Sequence, residues 1–196
     1  NLGHQMMVGL PESSRIDEIN TAKALIKLKP KIVRIYPVLV IKDTPLEEEY
    51  KNKEYVPLTV EQAVETCKEI VDLFNKEKIE VIRIGLQNTE EITDPSDKNS
   101  QVVAGPYHPA FRQLVEGRLW YDAIVAEIKK INVKVMQVKI IANQENINNI
   151  IGHKKENISK LKEFYDVDVR VETSEEIKPG KFKIEIEKTY QDFLNN

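Results

Sequence analysis

Cysteine is almost absent from this chain: Cys67 is the only one in 196 residues. No internal disulfide can form, so the fold must rest on burial and hydrogen bonding. The residues around it, Val60, Ala63, Val64, Ile70, Val71 and Phe74, share its helical face. That spacing makes Cys67 a buried thiol rather than a nucleophile. Charge of one sign is lacking too, since 29 Lys and Arg against 32 Asp and Glu leave a net charge of −3. That balance gives no support for nonspecific nucleic-acid binding by the whole chain. No apolar run approaches the roughly 20 residues a membrane helix needs, and no secretory signal is legible. A cytoplasmic setting with no membrane partner is therefore expected. The three histidines, His4, His108 and His153, are too scattered to suggest a metal site.

What the chain does contain is an alternation of strand-like and helix-like segments. Gln5 to Pro11 reads as a buried strand, and it stands at the start of a chain whose first residue is Asn1. A further segment is accordingly expected upstream, with processing of a short leader as the other reading. Ser13 or Ser14 can cap a helix with Ile16, Ile19, Ala22, Leu25, Ile26 and Leu28 on its apolar face, stopping at Pro30. Ile32 to Tyr36 is β-branched enough for a central strand, and Pro37 ends it. A short helix is expected around Leu46 to Tyr50. Thr59 and Gln62 then form a capping box for the helix that carries Cys67. Ile79 to Leu86 is the next strand. Residues 87–104 are polar and turn-rich, a loop long enough to be functional. The rigid turn Gly105-Pro106-Tyr107-His108-Pro109 leads into a long helix from about Ala110 to Ile131.

From Lys134 onward the pattern changes. A strand (Val135 to Ala142), a short helix ending at Ile151, the loop Gly152-His153-Lys154-Lys155 and a second helix through Phe164 precede two strands, Val167 to Val171 and Phe182 to Ile186. A stub helix follows Thr189. A domain boundary is placed near Asn132, separating residues 1–132 from 133–196. The fold class expected is α/β: a fragment of a partial parallel (β/α) barrel plus a smaller α+β domain. Three strands are too few to close a barrel.

The first part resembles the end of the partial barrel of radical S-adenosylmethionine (radical SAM) enzymes, in particular the catalytic subunit of the elongator complex and its bacterial relatives. The residues carrying the likeness are His4 to Pro11, Arg34 to Thr44, Ile82 to Gln87 and Gly105 to Phe111. The resemblance implies S-adenosylmethionine and a [4Fe–4S] cluster held by three cysteines as C-x-x-x-C-x-x-C. This chain has no such motif, so the cluster is expected in an upstream half of the same protein, and this fragment alone is expected to be inactive, with no catalytic or metal residues. By the same resemblance Gln5 and Met7 would face the nucleoside, and backbone near Ile35 and Tyr36 would meet the adenine; Met7 and Tyr36 also read as core or rim residues. Arg34 and Arg83 sit within apolar strands, where an unpaired charge is costly. They point either into the barrel, towards carboxylates or substrate, or to solvated edge positions. His108 is a candidate substrate contact, or simply part of a helix-start turn.

The second part resembles a KH domain through Ile150-Ile151-Gly152, Ile158 and Leu161 in a strand–helix–helix–strand–strand–helix order. The likeness implies RNA contact, with tRNA in view, at Gly152, His153, Lys154 and Lys155. Lys155 stands where the family has its second glycine. A packing or interaction module is the other reading. For the whole chain, two alternatives stand beside the radical SAM enzyme: a non-catalytic RNA-binding protein, and a small-molecule oxidase of the porphyrin-pathway type. Self-association of the fragment through an exposed strand edge is also expected.

Overall fold

The computed structural model of the chain describes residues 2–87 and 89–194. It divides into two compact units, Asn1–Val115 and Glu116–Asn196.

The first unit runs β1 (Gly3–Val8), α1 (Arg15–Lys27), β2 (Ile32–Pro37), β3 (Val40–Ile41), α2 (Pro45–Lys51), α3 (Val60–Lys76), β4 (Glu80–Ile84) and β5 (Val102–Ala104), and α4 (Phe111–Lys129) begins within it. Strands β1, β2 and β4 form one sheet in that spatial order, with both pairings parallel. Parallel neighbours need crossovers, and right-handed crossovers running in one direction across a sheet place their helices on one face. Here α1 packs on β1 and α3, and α3 packs on β1 and β4. The buried face of the sheet is therefore Met6, Val8, Val33, Ile35, Val81 and Ile84, against Ile19, Ala22, Val64, Cys67, Ile70 and Phe74 from the helices. This three-stranded parallel sheet with its helices is the partial α/β fragment anticipated from the strand–helix alternation.

Local signals fix the helix ends. Ser14 caps α1 with Asp17 as its capping-box partner, and Thr59 caps α3 with Gln62. The phase of α1 differs from the apolar face read in the sequence. Ile16 and Leu28 are exposed, while Glu18 is buried beside Ile19 and Ala22. A second departure lies in the segment read as a loop. Residues Val102–Ala104 pair antiparallel with β3, and three residues are too few to show a strand period. The rest of that segment is tied down locally. The Lys42 Nζ donates to the Ser100 carbonyl at 2.6 Å, and the buried Ser100 hydroxyl donates to the Thr93 carbonyl at 3.0 Å.

The second unit contains most of α4, then β6 (Val135–Ala142), α5 (Ile147–Ile151), α6 (Glu156–Tyr165), β7 (Asp168–Thr173), β8 (Phe182–Thr189) and α7 (Tyr190–Leu194). β6 is central, parallel to β7 and antiparallel to β8. This is a smaller α+β layer, with Val138, Ile140, Ile150 and Leu161 packed against Ile124, Val125 and Ile128 of α4. Among the described residues no helix is long and apolar enough to cross a membrane.

Asn157 organises this unit's helical turn. It is 3% exposed, and its Nδ2 donates to the carbonyls of Gly117 (2.8 Å), Asn149 (3.0 Å) and Ile150 (3.2 Å). Gly152 lies directly beside it with φ +80°, and a Cβ there would fall 2.8 Å from Asn157 Cγ. Only glycine meets both demands. Replacing Asn157 by Ala strands buried carbonyls and should cost about 3 kcal/mol. Urea unfolding followed by the fluorescence of Trp120, the single tryptophan and a residue of this unit, checks that value.

Candidate functional site

The strand register assembles a row of polar side chains on the sheet face opposite α1 and α3. Gln5 lies beside Arg34, and Arg34 beside Arg83. All three are exposed. The next row along pairs Met7 with Tyr36, Met7 being 41% exposed and Tyr36 half-buried. Side-chain alternation accounts for the sorting, because a strand sends successive residues to opposite faces. A bulge between β2 and β4 keeps Arg83 on the same face as Arg34: Val33 pairs with Val81, but Arg34 pairs with Arg83, skipping Ile82. Arg83 Nη1 donates to Gln87 Oε1 at 3.0 Å. Neither arginine is ion-paired among the described residues.

Ile35 falls elsewhere. Its side chain is fully buried on the helix-covered face, and its carbonyl accepts the Gly85 N–H at 2.9 Å. His108 lies outside the row, near the C-terminal ends of β2 and β4 in a narrow groove with Pro37, Gly85, Leu86 and Tyr107. Its Nδ1 accepts the Ala110 N–H at 3.1 Å and its carbonyl accepts the Phe111 N–H at 3.0 Å. The ring thus caps the start of α4.

Two residues that the sequence reading passed over hold the C-terminal end of β1. The Gly9 N–H donates to Glu18 Oε1, and the Tyr55 hydroxyl donates to the Gly9 carbonyl at 2.6 Å. Gly9 has φ +87°, and Leu58 closes on it so that a Cβ would sit 3.0 Å from Leu58 Cδ1. Burial pushes the Glu18 carboxyl above its usual range, against the Gly9 hydrogen bond, which favours the charged form. Burial likewise raises Tyr55, with the Glu18 charge adding to the effect. No periodicity signals this arrangement. A lone Glu on an otherwise apolar helix face was the available hint.

In the second unit the loop after Gly152 has Lys154 and Lys155 in the left-handed region, at φ +50° and +66°. Both are exposed, His153 is half-buried, and the Lys155 N–H donates to the Gly152 carbonyl at 3.1 Å. Left-handed backbone is costly for a residue with a side chain, so the glycine-like conformation persists at Lys155 although the glycine does not. The outer face of the β7-β6-β8 sheet is an ion-pair lattice. Lys139 meets Glu185 at 2.7 Å and Glu172 at 3.7 Å, and Glu185 also meets Lys183 at 2.8 Å. Hydrogen bonds from the two lysines hold Glu185 at about 2. Exposed pairs of this kind add little stability.

A [4Fe–4S] cluster needs thiolate ligands in number. The chain has one cysteine, and Cys67 is wholly buried in α3, where desolvation first and the Glu18 charge second push its thiol far up. Among the described residues no group of three His, Cys, Asp or Glu could hold a metal ion. The residues present do not fit the cluster.

Glu18 sets a pH dependence. Its folded-state pKa is raised, so its stabilising contribution is fully present below the unfolded-state value and is lost as pH rises through the folded one. Thermal melts across the acid-to-neutral range should show stability falling as Glu18 ionises. Glu18→Gln should flatten that slope, and Tyr55→Phe should lower stability by about 1 kcal/mol without flattening it.

Residues 30–121 match the family model described as the Radical_SAM C-terminal domain. An uncharacterized protein of Methanocaldococcus jannaschii is 42% identical over 62 residues, which is 32% of this chain and 19% of that protein. The chain thus spans about a fifth of the length of the relative it matches. The family match, which covers β2 through the first half of α4, supports placing this part of the chain in the radical SAM superfamily.

Proposed function

We propose that residues 1–132 form one wall of the cofactor and substrate cavity of a radical SAM enzyme of the elongator-subunit type. The cluster and its three thiolates belong, on this reading, to another part of the same protein. The observation that carries the proposal is the exposed sheet face on which Gln5, Arg34 and Arg83 share one row and Met7 and Tyr36 the next. An apolar and aromatic pair suits the nucleoside of S-adenosylmethionine. The arginines suit carboxylates or an anionic substrate, with planar donors that match either group. His108 offers a further substrate contact at the strand ends, beside the exposed Leu86. No step of the reaction is assigned to the residues of this chain.

Residues 133–196 are proposed as a KH-like module that presents RNA, with tRNA the substrate class in view. The strand–helix–helix–strand–strand–helix order and the exposed lysines of the Gly152–Lys155 loop support it. The same lysines also favour a second reading, a non-catalytic RNA-binding protein whose first unit is a scaffold.

Expression from the parent gene should yield a protein that binds an iron–sulfur cluster and cleaves S-adenosylmethionine, with Arg83→Gln lowering substrate turnover about tenfold. Absence of both cluster and cleavage would overturn the enzymatic reading. Filter binding of this chain to short single-stranded RNA, compared with a Lys154→Ala, Lys155→Ala double variant, tests the second unit. Unchanged binding in that variant would remove the loop from the RNA contact.

A further inference from the structure

The turn after β1 is held by more polar chemistry than its shape requires. Gly9 has φ +87° and Leu58 closes on it, which already restricts the position to glycine. Its N–H and C=O are nonetheless both taken by side chains from outside the strand. Glu18 of α1 accepts the N–H, and the Tyr55 hydroxyl donates to the carbonyl at 2.6 Å. Glu18 is 5% exposed. Desolvation, the Gly9 hydrogen bond and the neighbouring charge of Asp17 act on its carboxyl, with no cation among them. Burying an ionisable group is costly unless hydrogen bonds offset it, and groups held on such terms collect at functional sites.

Tyr55 lies in the connection between α2 and α3. Its ring is buried and packs with Val38 and Val40, and with Leu46, Val103 and Ala104. The β3–β5 pair therefore reaches the end of β1 through one hydroxyl. Glu18 does the same from α1, where it is buried beside Ile19 and Ala22. The Val38 N–H completes the frame by donating to the Val8 carbonyl at 2.8 Å. Several elements thus converge on Gly9, while apolar residues before and after it stay open: Met7 is 41% and Leu10 46% exposed. In parallel sheets, ligand contacts gather at the C-terminal ends of strands and in the loops that follow them. The Gly9 turn stands at such an end.

We propose that Glu18 and Tyr55 are positioning residues, which fix the Gly9 turn so that Met7 and Leu10 together form the apolar seat of the S-adenosylmethionine nucleoside. The inference rests on the reading of this sheet face as a cofactor wall, and it adds Leu10 to that wall as a contact. Glu18 and Tyr55 act through Gly9 and do not touch the ligand. Glycine has more backbone freedom than any other residue, and the two hydrogen bonds remove that freedom before the ligand arrives. Preorganisation of this kind raises affinity by reducing the ordering that binding requires. The Gly9 N–H needs an acceptor and not a charge, so glutamine in place of Glu18 keeps the function. Affinity therefore follows the two hydrogen bonds rather than the melting temperature.

The test has two arms. In the 196-residue chain, amide exchange followed by NMR should quicken roughly tenfold at Gly9 in Glu18→Leu and in Tyr55→Phe, and stay unchanged in Glu18→Gln. In the parent protein, calorimetric titration with S-adenosylhomocysteine should show affinity falling roughly tenfold in Glu18→Leu, Tyr55→Phe and Leu10→Ser. Glu18→Gln should keep the parent affinity. So should Ile70→Val, a core change in α3 that lowers the melting temperature without touching the turn. Tyr55→Phe keeps the ring packed, so the proposal stays open to refutation should Glu18→Leu fail to fold. Undiminished affinity in Tyr55→Phe or Leu10→Ser, an equal loss in Ile70→Val, unaltered exchange at Gly9, or Glu18→Gln losing as much as Glu18→Leu would each overturn it. A parent protein that binds no S-adenosylhomocysteine would overturn the cofactor-wall reading and this inference with it. Binding that the variants leave untouched would overturn this inference alone.

Discussion

Everything positioned in the first unit follows from one constraint: β1, β2 and β4 pair in parallel through helical crossovers that all fall on the same side. Burial of that side consumes Met6, Val8, Val33, Ile35, Val81 and Ile84. The alternation of a strand then obliges Gln5, Arg34, Arg83, Met7 and Tyr36 to the other side. Charged and polar side chains within apolar strands are thus no anomaly. They occupy the face that the helices do not cover, and the bulge at Ile82 preserves that arrangement across the last pair.

The ends of the strands are held by polar contacts to backbone rather than by packing alone. Gly9 is gripped from both sides, its N–H by Glu18 and its carbonyl by Tyr55. The second unit repeats the device with Asn157, whose single amide group satisfies three carbonyls around Gly152. Each arrangement buries a polar side chain at a cost that its hydrogen bonds must offset. Of the candidate site residues, His153 directly follows Gly152 and Met7 lies two residues before Gly9.

Ligand count separates this chain from the complete chemistry of the superfamily whose C-terminal domain model residues 30–121 match. One buried, unreactive thiol cannot replace a cysteine triad, and nothing else among the described residues gathers metal ligands. On the proposed reading the chain supplies a partly cationic wall, with Arg34 and Arg83 exposed on one sheet face.

Period and punctuation determined much by themselves. The Thr59–Gln62 box and the apolar stripe through Phe74 specify α3, and β-branched runs closed by Pro37 and Gly85 specify two strands, because such local signals depend only on neighbouring residues. The Gly152 turn and the strand–helix–helix–strand–strand–helix order were legible for the same reason. Tertiary structure alone decided the rest. It buried Glu18 and exposed Ile16, since the carboxylate answers an N–H nine residues away that helix periodicity does not register. It paired Val102–Ala104 with β3 across some sixty residues, and it turned Ile35 inward while lining up Gln5, Arg34 and Arg83. Register is a property of two strands together, and a one-residue slip would have reversed every one of those side chains.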